Sequence, residues 1–285
     1  MSAALGYAVE EAVEQPTPSP RRDRKRRGLL LPIWGWLVIL WLCAPIIVMI
    51  VYGFNDGNGR QVSTNWKGFT FKWYENLFVY SDLTDAIVNS ITIALACTAI
   101  SVVLGTLMGV AMGKYRYRGA GSVNLLLFAN IAAPEVVLGS ALLSMFVAAN
   151  IARGYETILI AHVMFSIAYV VVTVRARMAG LDPALEEAAR DLGAGPFTTF
   201  FRVTLPVIMP GVIAGGLLVF TLSIDDYIIT SFNNGNTLTF PLWVYGAFQR
   251  NGGSVPPQVN VMGTIIFGFG VLVAVSVAAA GRKKA

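Results

Sequence analysis

Six stretches of this chain are apolar for long enough to cross a bilayer, and that property removes most folds from consideration. They fall at about residues 29–52, 86–113, 122–148, 155–174, 206–232 and 259–280. A span needs about 20 predominantly apolar residues, and its backbone must satisfy its own hydrogen bonds, which leaves helices or a closed barrel. The alternation of a barrel strand is absent, so the expected fold is an all-α polytopic membrane protein with six transmembrane helices. Composition agrees: 55% of residues are hydrophobic and 13% charged. Two spans are less clean, because the fourth holds His162 and the fifth is interrupted by acids.

Loop charge orients these spans. Sixteen of the 21 Lys and Arg residues fall in the N-terminal tail (Arg21 to Arg27), the loop at 114–118, the stretch at 175–202 and the C-terminus. Arg60, Lys67, Lys72, Arg153 and Arg250 fall on the other side. Positive charge collects on the cytoplasmic side, so both termini and the 175–202 stretch are expected there. The basic excess is a topology signal and gives no reason to invoke nucleic acid. Residues 1–28 lack an apolar core and read as a disordered basic cytoplasmic tail, leaving 29–285 as the membrane domain. Arg21-Arg22 resembles an export signal, but the run after it is long and has no obvious cleavage site, so span one is expected to stay. Cys43 and Cys97 lie in expected spans and suggest no disulfide framework. With one histidine, no metal site is expected.

Residues 181–206 form a polar island between two apolar runs. Asp182-Pro183 is a helix start, with Asp182 as N-cap and Pro183 at the first helical position. Ala184, Leu185, Ala188, Ala189 and Leu192 give an apolar face, and Gly193 ends the helix. Pro196 starts a second helix carrying Phe197, Phe200 and Phe201, and Leu205-Pro206 is expected to turn the chain into the next span. The result is a two-helix knob with small residues at its bend, next to charged Asp191. Spacing alone leaves it equally an amphipathic connector at the membrane surface.

Glu187, Ala188, Ala189, Gly193, Leu205 and Pro206 resemble the E-A-A…G…L-P coupling loop of bacterial ABC importer permeases. The resemblance implies the type I importer permease fold, a bacterial inner-membrane location and a loop that ATPase subunits grip. The chain contains no G-x-x-x-x-G-K-[ST] phosphate loop, so ATP is expected on partner subunits and no cofactor on this one.

The acids inside apolar sequence are the substrate clue, because a charge at mid-membrane usually faces a cavity or a partner. Glu135 follows Pro134 in the third span, which suggests a kink or local opening there. Asp225 and Asp226 lie toward the end of the fifth. Adjacent helical residues point about 100° apart, so both face one pathway only if the helix breaks. One is expected to face the pathway while the other orients it or caps the break; the bland alternative is that both sit hydrated at the interface. The aromatic residues of the loop at 53–85 (Trp66, Phe69, Phe71, Trp73, Tyr74, Phe78, Tyr80) are expected to form an interfacial belt, or else a contact surface or cation lining. Gly105, Gly109 and Gly113 suit close helix packing, within this chain or with another.

The stretch FTLSIDDYIITSF, followed by Phe240-Pro241-Leu242 and Val244-Tyr245, is similar to permeases of the spermidine/putrescine (PotC/PotI-like) type. From about Ile33 onward, that resemblance implies Ser223, Asp225, Asp226 and Glu135, with Tyr227 beside them, as a polyamine site. It also implies alternating access with a second homologous permease subunit, two ABC ATPase copies, an extracytoplasmic polyamine-binding protein and membrane lipids around the spans. Thiamine, iron(III) or an opine are the alternative cargoes. A lone channel or ion-coupled transporter would not need the knob, and an intramembrane enzyme would need a partner for His162.

Overall fold

The computed structural model describes residues 30–57, 65–115 and 117–282. The basic tail at 1–28 lies outside them. The described residues are helical apart from turns and one antiparallel bridge between Asn55 and Phe69. The chain divides into two units, residues 1–49 and 50–285. Helix α1 (Leu30–Tyr52) is apolar all round and carries Pro45 inside it. A 23-residue helix is about 34 Å long, enough to cross hydrocarbon.

The core of the second unit is three long helices: α3 (Ser81–Lys114), α6 (Tyr155–Met178) and α9 (Leu205–Ile224). Glycine sets their spacing. A Cβ on Gly105 would lie 2.6 Å from the Cβ of Val170; on Gly109, 3.0 Å from that of Val174; on Gly113, 2.7 Å from that of Met178. The pairs advance together, so α3 and α6 run parallel and nearly touch along a small-residue stripe. On the other side of α6, a Cβ on Gly211 would meet the Arg177 side chain at 2.5 Å, and one on Gly215 the Thr173 hydroxyl at 2.6 Å. Here the numbering runs in opposite senses, so α9 is antiparallel to α6. The glycine series thus serves packing inside the chain.

Around this core lie α2 (Lys72–Glu75), α4 (Ala120–Ala132), α5 (Glu135–Ala148), α7 (Pro183–Asp191), α8 (Pro196–Thr199), α10 (Ile228–Asn233), α11 (Phe240–Arg250) and α12 (Pro257–Arg282). Among the described residues, four helices are long and apolar enough to cross a membrane, or up to five spans if α4 and α5 form one broken span; Pro257–Val273 of α12 is a shorter apolar helix.

The opening expected at Pro134 is present: α4 and α5 meet at 108° across Ala133-Pro134, and Glu135 begins α5. Pro134 supplies the cause, since the residue before a proline is pushed out of helical conformation. The fifth span ends at Ile224; residues 225–227 break it before α10. Leu205-Pro206 does not turn the chain. Helix runs from Pro196 to Ile224 through a π turn at Phe200–Thr204, in which Leu205 N–H reaches back to Phe200. Pro206 has no N–H to give, and the wider turn accommodates the lost bond while the helix continues.

The aromatic loop is a packed cluster. Phe54 stacks on Phe69 at 5.2 Å and on Tyr74 at 4.8 Å, with Phe71 edge-on. The buried Trp73 indole donates to the Asn55 carbonyl at 2.8 Å. Nearby, Trp243 of α11 donates to Asp82 at 2.9 Å and Phe240 N–H to Ser90 at 2.8 Å, which ties α11 to the start of α3.

Candidate functional site

Two polar sites interrupt the apolar bundle. The first is at the end of the bundle where α3 and α6 finish. Asp182 accepts from Ala184 N–H at 3.0 Å, Pro183 opens α7, and Gly193 closes it at φ +83°. Gly193 and Ala194 N–H groups bond back to Arg190 and Ala189, a glycine C-terminal motif that only a residue tolerant of positive φ completes cheaply. The short helix is therefore locally determined.

Its orientation is not the one the apolar spacing suggests. Leu185 and Leu192 of the apolar face are exposed, Leu192 by 90%, as are Phe197 (81%) and Phe201. The residue turned inward is Glu186, 7% exposed. Its carboxylate pairs with Lys114 at the end of α3, accepts from the Thr204 hydroxyl at 2.6 Å and has Arg190 at 3.6 Å. Burial pushes this carboxyl up, but the Lys114 and Thr204 hydrogen bonds and the charges of Lys114 and Arg190 outweigh it and hold it below its ordinary 4.5. One side chain thus ties α7 to α3 and to the π turn before α9. Glu187, Ala188 and Asp191 are exposed, and a cleft of about 280 Å³ beside them is bounded by Gly113, Lys114, Met178 and Arg190.

The second site is the break at 225–227. Asp226 is 9% exposed and does not point outward. Its Oδ2 accepts from both the backbone N–H and the hydroxyl of Thr230, each at 2.7 Å, and so caps the start of α10. His162 of α6, 1% exposed, stands beside it: Nδ1 is 2.7 Å from the Ser223 hydroxyl, and Nε2 is 2.9 Å from Thr230 Oγ1 and 3.3 Å from Asp226. The histidine that looked partnerless in sequence has three partners, 61 to 68 residues away. Asp225, by contrast, is exposed. It lines a cavity of about 530 Å³ with Tyr227, Phe240, Tyr245, Phe248 and Ile266. The Tyr227 and Tyr245 rings lie 4.7 Å apart. Glu135, also exposed, lies within electrostatic reach of Asp225. A carboxylate among aromatic faces suits a ligand with ammonium groups joined by apolar carbon.

Residues 101–283 match the family described as binding-protein-dependent transport system inner membrane component. The chain belongs to that family. Among curated relatives, this permease is 35% identical over 260 residues to the spermidine/putrescine transport system permease protein PotC of Escherichia coli (strain K12), covering 91% of this chain and 94% of that one. It is 37% identical over 247 residues to the putrescine transport system permease protein PotI of the same organism, covering 82% and 86%. Its fold matches the crystal structure of a bacterial ABC transporter involved in the import of the acidic polysaccharide alginate, with TM-score 0.65, 17% identity and 94% and 99% of the two chains covered. The permease is therefore an inner-membrane protein and a transport subunit, with ATP hydrolysis left to a separate subunit.

The acids that sequence singled out in this permease lie at two breaks, Asp225 and Asp226 between α9 and α10 and Glu135 at the start of α5, and have different surroundings. Ser223 is buried and spent on His162. Sequence reasoning missed His162, Thr230, Glu186, Lys114 and Tyr245 as site residues. The available signal for the first was a lone histidine inside a mostly apolar run. For Glu186 no local signal existed, because its partners Lys114 and Thr204 come from other helices.

Proposed function

We propose that this permease is the membrane-spanning subunit of an ATP-driven importer for polyamines such as spermidine and putrescine. The observation that carries the reading is Asp225, exposed in an aromatic-lined cavity at a break in α9. Asp225 receives an ammonium group, and Tyr227, Tyr245 and Phe240 pack against the methylenes. Glu135 supplies a second carboxylate at the α4–α5 bend. Asp226 and Ser223 contribute by holding the break.

The proposal includes the partners. A second homologous permease completes the pathway, and an extracytoplasmic binding protein delivers cargo at the end of the bundle that holds α2 and α11. Two ATPase subunits grip the coupling loops of the two permeases, one of them docking on the exposed face of α7 and α8, where Leu192 and Phe197 stand free of this chain. ATP binds to those subunits alone. The distribution of basic residues supports cytoplasmic termini and a cytoplasmic α7. The pathway opens alternately to the two sides as the ATPases close and reopen.

The test is ATPase stimulation of the assembled, purified complex by its binding protein loaded with spermidine, putrescine, thiamine or iron(III). Stimulation by the polyamines alone is expected. Stimulation by thiamine or iron(III) without the polyamines would overturn the cargo and leave the importer reading standing.

A further inference from the structure

The coupling loop and the Asp225 cavity lie toward opposite ends of the bundle, and both α6 and α9 run between them. Met178, at the coupling end of α6, is about 24 Å from His162 at 1.5 Å per residue. At the far end these two helices meet through His162 and Ser223. Thr230 has one hydroxyl proton, and it goes to Asp226 Oδ2. Thr230 Oγ1 therefore accepts from His162 Nε2. His162 Nδ1 lies 2.7 Å from the Ser223 hydroxyl, so one ring bonds both α9 and α10.

The same helix grips α10 at its other end. The Thr157 hydroxyl of α6 donates to the Asn233 carbonyl at 2.7 Å, and Asn233 Nδ2 reaches the Gly139 carbonyl of α5 at 3.4 Å. A Cβ on Gly139 would sit 2.7 Å from the Phe232 ring, so α10 is also packed hard against α5. Helix α10 is thus bound to α6 and α5, while α9 carries Ser223 up to the break. Residues 225–227 are the joint between two parts held together at one imidazole.

We propose that His162 is a positioning residue for cargo recognition: it locks the α9–α10 joint so that Asp226 stays inward as a cap and Asp225 stays in the cavity. It touches no cargo. The proposal rests on Asp225 as the cargo ligand.

The experiment compares wild type, His162→Leu and His162→Gln in the complete importer. Leu fills similar space without hydrogen bonds; Gln restores a donor toward Thr230. ATP-dependent uptake of radiolabelled spermidine is measured over a concentration range, with membrane levels quantified. His162→Leu is expected to raise the half-saturating concentration at least tenfold with the maximal rate within about twofold, and His162→Gln to stay within about threefold of wild type. A role in stability alone lowers membrane level and maximal rate but leaves half-saturation unchanged, and that result overturns the proposal. An independent readout needs no cargo. Ile229 on α10 is fully buried. In a Cys43→Ser, Cys97→Ala background, Ile229→Cys is expected to resist a membrane-impermeant thiol reagent with His162 present and to react in the His162→Leu variant. Equal protection in both overturns the proposal, whereas absence of polyamine uptake by wild type overturns the cargo reading alone.

Discussion

Replacing Lys114 by Met removes the partner of a buried carboxylate and should loosen α7 from the bundle without touching its local sequence. Lys114 is one of three groups on Glu186, and a hydrogen bond to a charged group contributes about 1.5–3 kcal/mol. The Lys114 side chain is 28% exposed and Arg190 remains nearby, so the lower part of that range applies, about 2 kcal/mol. At 1.4 kcal/mol per tenfold, α7 should open about 30-fold more often. Amide hydrogen exchange of residues 183–191 in the intact complex reads this opening directly. Glu186→Gln should have a comparable effect, and the double variant should cost less than the sum, because both changes remove one interaction. Protonation offers the same test without mutation. The folded-state carboxyl titrates below its ordinary 4.5, so its contribution is complete above that value and is lost as pH falls through the depressed one. Protection of α7, corrected for intrinsic exchange, should be flat from about pH 7 to 5 and fall only below 4.5. Unchanged α7 exchange in Lys114→Met, or strictly additive costs, would refute the reasoning.

Other outcomes follow from the same geometry. Gly105→Ala forces its Cβ against Val170 and should destabilise the α3–α6 contact by about 1–3 kcal/mol, visible as a lower unfolding midpoint of the solubilised permease. Leu192→Asp and Phe197→Asp alter side chains that are exposed, so membrane level should be normal while co-purification of the ATPase falls. Asp226→Asn removes the charge that caps α10 and should lower stability by about 1–3 kcal/mol, measured by thermal unfolding; Asp225→Asn should leave stability within about 0.5 kcal/mol of wild type.

The apolar runs made the helices legible, because a bilayer enforces length and composition residue by residue. The ends of α7 were equally legible: Asp182-Pro183 and Gly193 act through their immediate neighbours. What sequence could not reach was anything depending on distant partners. Apolar spacing on α7 pointed Leu185, Ala188 and Leu192 inward, since in an isolated chain the apolar face is the buried one. Lys114, 72 residues earlier, and Thr204 reverse that by giving Glu186 something to bond. The exposed leucines form the surface proposed above for the ATPase, and a one-chain argument counts such residues as core. His162 is the same case. Its partners come from two other helices, and only their packing makes a capped joint from what reads as a stray polar residue. Pro206 misled for a local reason: a proline suggests a turn, yet the π turn before it absorbs the missing bond and the helix continues to Ile224.

The most direct test of the account is ATP-driven uptake of radiolabelled spermidine and putrescine into proteoliposomes holding the complete importer, with wild-type permease and with Asp225→Asn. Losing one charged hydrogen bond to cargo, about 1.5–3 kcal/mol, corresponds to a rise of roughly 10- to 100-fold in half-saturating concentration. The account predicts saturable polyamine uptake by wild type and that rise in Asp225→Asn. Wild-type liposomes that hydrolyse ATP but accumulate neither polyamine, or an Asp225→Asn permease with unchanged half-saturation, would contradict it.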